Sequence, residues 1–452
     1  MSDSVYKITI VTLLILLLCL YSEGPKSPIQ KNKDIPSLLG SGNFTNGDTS
    51  SKEKISWLED LNLGWGRLNL YPDWYYKDGK PTPQTIDGLV AQMFEHNITP
   101  MLLFEYYGNY ESKGIPIGDY NKWFSIGQQF AERFRPGGTW SQIYHVRNWG
   151  ITVYSAFNEP DVESTIDRQA YSQALEGFAD GIHSVDKSLK VIPGGFSAQN
   201  AFKDWTLKGY GPAIAPLLNS GKLDGLDLHT YFDLQYTPIS GTYTSSVQYA
   251  FDQVKKQSGI TRDISFYSTE FNVKDRNPAS PEQGALPPEV LANYFLTAIW
   301  DSLGVVKNDG HSPATEFAMP FSLALTPEQD PWYGLYSGRV GGTTDLTARA
   351  RVLRMVSNLT SEAYFEYLDP KLTGVYILSG GFKKIWVWQN RKHWTNAPGT
   401  EFTITGLPNY ATRISIYRWS GLWKTIELKQ NVYSYKITGL IPEETYMFVA
   451  DG

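Results

Sequence analysis

"ITVYSAFNEPDVES", Ile151 to Ser164, runs from an apolar, β-branched stretch into a polar turn, and Glu159 stands where the two meet. By itself the stretch reads as a buried strand that ends in a tight polar turn, since a strand exit followed by Pro is a common turn. Its meaning depends on what repeats around it.

From Pro36 to about Leu359, short apolar runs alternate with longer stretches of helical period. The strand candidates are Ser37–Phe44, Gly64–Leu70, Ile98–Phe104, Ile151–Phe157, Lys190–Phe196, Gly225–Tyr231, Ile264–Phe271 and Thr315–Ser322. Each is followed by a helical stretch, such as "PQTIDGLVAQMFEHN" or "DRQAYSQALEGFADGIHSV", and Ser280-Pro281-Glu282-Gln283 has capping-box spacing ahead of the seventh. Right-handed crossovers return every strand parallel to the last, so eight such units predict a closed (β/α)8 barrel over residues 37–359. Beyond Leu359 the pattern becomes short alternating strands separated by Gly, Pro and Asn turns, which predicts an all-β sandwich over residues 360–452.

The N-terminus reads separately. "ITIVTLLILLLCLY" after Lys7 is too short for a comfortable membrane span and suits the apolar segment of a signal peptide. Residues 1–22 are expected to be a signal peptide or an N-terminal membrane anchor, placing the protein outside the cytoplasm, and residues 23–36 a linker. Cys19, the single cysteine, lies in this run, so the remainder holds no thiol for disulfides, nucleophilic catalysis or zinc.

Composition excludes further classes. A net charge of −6 with 19% charged residues gives no basic surface for nucleic acid. The six His are scattered without metal-ligand spacing, and neither a Walker loop nor G-x-G-x-x-G is present, so no metal or cofactor is expected.

A barrel of this kind carries its active site at the C-terminal ends of its strands. Glu159 lies just past strand four and Glu270 at the end of strand seven, across the mouth, so both carboxylates are expected to face one pocket. Two carboxyl groups on either side of a glycosidic bond are the minimal apparatus of glycoside hydrolysis, and their mutual repulsion is expected to separate their titrations. Asp161, Glu105 and Asp233 lie near strand ends as candidate sugar-binding groups. Aromatic residues cluster in the same loops: Tyr71, Trp74, Tyr75 and Tyr76; Tyr106, Tyr107 and Tyr110; Phe232 and Tyr236; Trp332, Tyr333 and Tyr336. Flat rings with polar tips suit the apolar faces of pyranoses, which predicts an oligosaccharide or polysaccharide substrate; packing of the loops on the barrel rim is the competing account of some of them.

At this point the chain resembles clan A of the glycoside hydrolases, retaining enzymes built on the TIM barrel. Asn158-Glu159-Pro160 after strand four and Glu270 ending strand seven carry the likeness. By that resemblance Glu159 is the acid/base and Glu270 the nucleophile. Arg67 resembles the Arg beside the nucleophile, Asn158 the Asn that bonds the sugar 2-hydroxyl, and His229 and Tyr231 a His-x-Tyr pair whose Tyr contacts the nucleophile. Within the clan the chain looks most like family 39, the group of β-xylosidases, α-L-iduronidases and exopolysaccharide glycosidases. It departs from that family at Phe157, where Trp is usual, and in lacking a Trp at the end of strand eight, for which Trp332 in the following loop is the candidate replacement.

Other readings stay open. Arg67 also reads as a structural counter-ion and His229 as a hydrogen-bonded core histidine. "SGRVGGTTDL", Ser337 to Leu346, sits where barrel enzymes bind phosphate. Transglycosylation on the same site and a non-catalytic carbohydrate-binding barrel are the functional alternatives. In the β-region, Trp386, Trp388, Trp394, Trp419 and Trp423 either bind glycan or brace the barrel.

Overall fold

The computed structural model describes residues 33–45, 51–106, 117–162, 166–197, 204–232, 246–273, 287–323, 334–337, 345–391 and 399–452. The N-terminal signal or anchor segment, most of the linker and the Ser280–Gln283 capping box lie outside the described residues. Among the described residues no helix is long and apolar enough to cross a membrane.

Eight parallel strands form the centre: β1 (Gly40–Thr45), β2 (Trp65–Leu70), β3 (Thr99–Phe104), β4 (Val153–Ala156), β5 in two segments (Lys190–Pro193 and Phe196–Ser197), β6 (Gly225–Phe232), β7 (Ser265–Val273) and β8 (Thr315–Pro320). They make two parallel sheets. One runs from β1 in order to the first segment of β5, the other from β8 back to the second segment of β5. On the other side, a parallel bridge joins Leu39 to Ala318, and Ser41 Oγ donates to the Pro320 carbonyl at 2.8 Å.

These boundaries refine the expected ones. The first strand starts at Gly40, because Pro36–Leu38 make one turn of 3-10 helix, and the fourth ends at Ala156, because Phe157 already has φ 69°. The fifth is broken at Gly194-Gly195. A Cβ on Gly194 would lie 0.9 Å from the Phe157 carbonyl oxygen and one on Gly195 1.9 Å from His229 Nε2, so only glycine lets the strand pass this close.

Helices α1 (Ser51–Asp60), α2 (Asp87–Glu95), α3 (Tyr120–Phe134), α4 (Arg168–Val185), α5 (Tyr210–Ser220), α6 (Val247–Ser258), α7 (Pro288–Leu303) and α8 (Ala348–Leu359) alternate with the strands. Several starts are set by side chains that accept amide N–H groups of the first turn: Asp119, Asp167, Ser246 and Thr347. Helix α7 instead begins on Pro287-Pro288 without a side-chain cap.

Because both strand faces are covered, β2 is buried throughout and β7 at all but its first residue. The period of two sorts the faces. Leu68, Leu70, Leu102, Phe104, Tyr154 and Ala156 join the large core that includes helix residues such as Phe130 and Phe178. The other face carries a separate apolar cluster of Trp65, Met101, Leu103, Val153, Ile192, Tyr267, Phe317 and Met319. Two residues on from Trp65 comes Arg67 and then Asn69; two on from Leu103 comes Glu105; two on from Tyr267 comes Thr269. The inner face thus turns from apolar to polar toward the C-terminal strand ends.

Past α8 come antiparallel strands: β9 (Tyr364–Asp369), β10 (Val375–Gly380), β11 (Lys383–Asn390), β12 (Glu401–Thr405), β13 (Arg413–Arg418), β14 (Gly421–Glu427), β15 (Ser434–Thr438) and β16 (Glu444–Asp451). Six form a sheet in the order β9-β10-β11-β16-β13-β14, and β12 pairs with β15. Alternation gives the sheet two buried faces. Ile385, Val387, Met447 and Val449 join the large core with the helices, whereas Trp386, Tyr446 and Phe448 pack with Ile404 of β12 and Ile437 of β15. Polar contacts fasten the sheet to α7: Gln389 Nε2 donates to the Thr297 carbonyl at 3.3 Å, and the Thr297 and Thr445 hydroxyls lie 2.8 Å apart.

Candidate active site

The turn after β4 positions Glu159. Phe157 has φ 69° and Glu159 has φ 37°, a conformation side chains with a Cβ adopt only when their surroundings impose it. Here the Glu159 amide donates to the Gly195 carbonyl at 2.9 Å, so the turn is tied to the break in β5. Glu270 is positioned by an irregularity. The register of β7 slips between Tyr267 and Phe271 against β6, and between Ser268 and Phe271 against β8. A bulge lets consecutive side chains serve one face, so Thr269 and Glu270 both reach the inner cluster.

One oxygen of Glu159, one of Glu270 and a ring nitrogen of His229 lie within 4.8 Å of one another. His229 Nδ1 is 2.8 Å from Glu159 Oε1 and 3.6 Å from Glu270 Oε2. Arg67 Nη2 donates to Glu270 Oε1 at 2.5 Å, and the Tyr231 hydroxyl donates to Oε2 at 2.5 Å. Arg67 Nη1 also donates to Thr269 Oγ1 at 3.3 Å.

Burial opposes every charge in this cluster, yet the ions are arranged to outweigh it. Burial pushes Glu270 up, but His229, Arg67 and the Tyr231 hydrogen bond hold it below the usual carboxylate range. Burial pushes His229 down, but Glu270, Glu159 and Asp227 bring it up to about 9. The same competition, with Glu270 and Glu105 as the anions, raises Arg67. Asp161, buried beyond the turn, is pushed up to about 6 by desolvation and by Glu159, although the Ser197 amide donates to its Oδ1 at 3.1 Å. The expected pair of carboxyl groups is therefore bridged by an imidazole, His229, whose raised value favours the protonated ring.

Among the described residues, Glu159, His229 and Glu270 are the one group of three with closely spaced ligand-type atoms. The Arg67 charge on Glu270 Oε1 offsets that carboxylate and opposes a further cation there.

Of the residues singled out in the sequence, Arg67, Glu105, Glu159, His229, Tyr231 and Glu270 come together, with Glu105 Oε1 accepting from Asn69 Nδ2 at 2.7 Å. Asn158 sits buried in the same turn as Glu159. Trp74 is half-buried with its ring edge-on to Tyr71, 5.4 Å away. Trp332, with Tyr107, Tyr110, Asp233, Tyr236 and Tyr333, lies outside the described residues, as do positions 338–344 of the glycine-containing loop.

Several aromatic residues expected on the open face are wall residues. Tyr75 is buried with its hydroxyl on the Glu105 carbonyl, Tyr106 packs on Phe157 and Trp123, and Tyr336 stacks on Trp57. Their apolar rings gain more from the interior than from solvent. In the β-region Trp386 is a core residue and Trp388 stacks on Phe402 at 4.8 Å, whereas Arg418 lies over the rings of both Trp419 and Trp423.

Sequence reasoning passed over Thr269, Asp227, Gly194-Gly195 and Phe321, whose ring stands 6.2 Å from that of Tyr231. Asp227 was within reach, because Asp227-Leu228-His229-Thr230-Tyr231 alternates and period two puts Asp227 on the face of His229 and Tyr231.

No family model matches the chain, and no curated protein matches it in sequence. Solved structures match it in fold. A family 39 glycoside hydrolase from the gut symbiont Bacteroides cellulosilyticus is 14% identical with a TM-score of 0.59, over 92% of this chain and 81% of that one. A glucosidase from Croceicoccus marinus is 13% identical with a TM-score of 0.61, over 94% and 97%. A family 51 α-L-arabinofuranosidase from Bifidobacterium longum is 13% identical with a TM-score of 0.56, over 93% and 97%. At these identities the likeness is one of fold: this chain shares with these glycoside hydrolases an α/β architecture around parallel central strands.

Proposed function

We propose that the protein is a retaining glycoside hydrolase acting on a β-linked oligosaccharide or polysaccharide. Its catalytic unit is read as a closed (β/α)8 barrel, with the C-terminal strands as a β-sandwich that braces it. The bridge from Leu39 to Ala318 and the divided β5 support closure. The N-terminal apolar run belongs to the same proposal, as the export or anchoring signal of an enzyme that meets its polymer outside the cytoplasm.

The observation that carries the reading is the spacing of Glu159 and Glu270, with oxygens within 4.8 Å at the C-terminal ends of β4 and β7. Retaining enzymes hold their carboxyl groups about 5–5.5 Å apart and inverting ones about 6.5–9.5 Å apart, to admit a water. Glu270, kept ionised by Arg67 and Tyr231, attacks the anomeric carbon while Glu159 protonates the departing oxygen. Glu159 then takes a proton from water, whose oxygen displaces Glu270 and releases the sugar with its configuration kept. Asn158, Glu105 and Trp74 are assigned to sugar binding, as is Trp332.

A panel of aryl β-glycosides and polysaccharides, followed by proton NMR of the first product, tests the reading. The β-anomer is expected to form first and mutarotate later; the α-anomer first would overturn retention.

A further inference from the structure

Beneath the two glutamates lies a buried chain of hydrogen bonds that the displacement mechanism does not use. Thr269 Oγ1 is 2.7 Å from Asp227 Oδ2 and 2.8 Å from His229 Nε2, and the Thr269 amide donates to Asp227 Oδ1 at 3.0 Å. Asp227 and His229 are fully buried, and Thr269 is 2% exposed. The chain continues through His229 Nδ1 to Glu159 Oε1 at 2.8 Å, so it spans four side chains from Asp227 to the acid/base.

A hydroxyl has one proton and two acceptor positions. Burial raises Asp227 above the usual carboxylate range, opposed by His229, the two Thr269 hydrogen bonds and Arg67, and its two oxygens accept the Thr269 amide and the Thr269 hydroxyl. Arg67 Nη1 can only donate to Thr269 Oγ1. The remaining acceptor position then faces His229 Nε2, which must carry a hydrogen. The fixed donor at Nε2 leaves Nδ1 to share a proton with Glu159.

We propose that Asp227 and Thr269 are positioning residues that fix the protonation of His229, making its Nδ1 the store from which Glu159 receives the proton it delivers to the leaving group. The inference deepens the proposed function and rests on it for the role of Glu159. The step is balanced: the Nδ1 proton moves to Glu159 Oε1 and on to the departing oxygen. The proton that Glu159 later takes from water returns to Nδ1, so imidazolium with carboxylate is restored at the end of each cycle. His229 is faced by Glu159 and Asp161 from the turn after β4, by Glu270 from β7, by Asp227 on its own strand, and through Thr269 by Arg67 of β2. The upward shift of His229 to about 9 agrees with a ring that is protonated near neutrality.

Nitrogen-15 NMR of histidine-labelled protein, with the His229 signals assigned by loss in His229→Gln, tests the chain without a substrate. In the wild type both ring nitrogens are expected to carry hydrogen at neutral pH and to titrate near pH 9. Thr269→Val, which keeps the shape and removes the hydroxyl, is expected to lower that midpoint by roughly one pH unit, and Thr269→Ser to restore it. In kinetics, the alkaline limb of kcat should move down with Thr269→Val while KM changes by less than about twofold. Asp227→Asn provides the same comparison if Thr269→Val does not fold. A neutral His229 at pH 7, a bare Nε2, or a midpoint unmoved in these variants would overturn the inference. Absence of glycosidase activity alongside a midpoint that moves would count against the proposed reaction and leave the buried chain standing.

Discussion

Arg67 of β2 and Glu270 of β7, 203 positions apart in the chain, form a buried ion pair with Nη2 2.5 Å from Oε1. Both are almost wholly removed from solvent, so each ion depends on the other. Arg67→Met should cost about 3–5 kcal/mol in urea unfolding, because it leaves a carboxylate buried without its partner. It should also raise the Glu270 titration, moving the acidic limb of kcat/KM to higher pH. Arg67→Lys, which keeps the charge but not the second contact to Thr269, should fall between.

The two glutamates are distinguishable by leaving group. Glu159→Ala should lower kcat by about 10²–10⁴-fold on a glycoside whose leaving group needs protonation. It should retain the first step on an activated aryl glycoside and regain turnover with azide. Glu270→Ala should be inactive on both. Wild-type rates in both variants on natural substrate would show that the carboxylates are not catalytic.

Two glycines should respond with opposite signs. Gly195→Ala places a Cβ 1.9 Å from His229 Nε2, so the ring or the strand must shift. A destabilisation of about 1–3 kcal/mol is expected, with about 10²-fold loss of kcat from misplacement of the site. Gly88, exposed in α2 with open space around it, should tolerate Ala and gain about 0.5–1 kcal/mol.

Stability should depend on pH through His229. Its folded value, about 9, lies above the ordinary 6.5, so the contribution is complete below pH 6.5 and is lost as pH rises through 9. Thermal melts from pH 6 to 10 should show the decline, on the order of 3 kcal/mol, and His229→Gln should flatten it.

The C-terminal sheet should unfold together with α7. Tyr376 of β10 is fully buried and its ring lies 6.2 Å from that of Trp300. Tyr376→Ala should cost about 3–5 kcal/mol and lower one shared calorimetric transition. A second transition that alone moves would show the sheet to be an independent unit.

Much of the architecture was readable along the chain because burial on both faces leaves continuous apolar runs and parallel crossovers demand helices between them. Count, order and direction of the strands followed from these local patterns. So did the nearness to strand C-termini of Glu159, three residues past β4, and of Glu270, three before the end of β7. The aromatic residues were less legible. Tyr75, Tyr106 and Tyr336 follow strands as sugar-binding rings would, but whether a ring faces solvent or a neighbouring helix depends on loop paths that no period encodes.

What the sequence determined by itself was the alternation of strands and helices and the placement of two carboxylates at one set of strand ends, since both are written in local periodicity. Tertiary structure alone decided which atoms meet. A slip of register in β7 brought Glu270 to the inner face beside Thr269, and the break at Gly194-Gly195 let β5 approach the Glu159 turn. The same assembly placed His229 against Glu270, Glu159 and Asp227, which raise it against its burial. Register, close approach and desolvation depend on groups distant in the chain, and so they exist only once the strands are side by side.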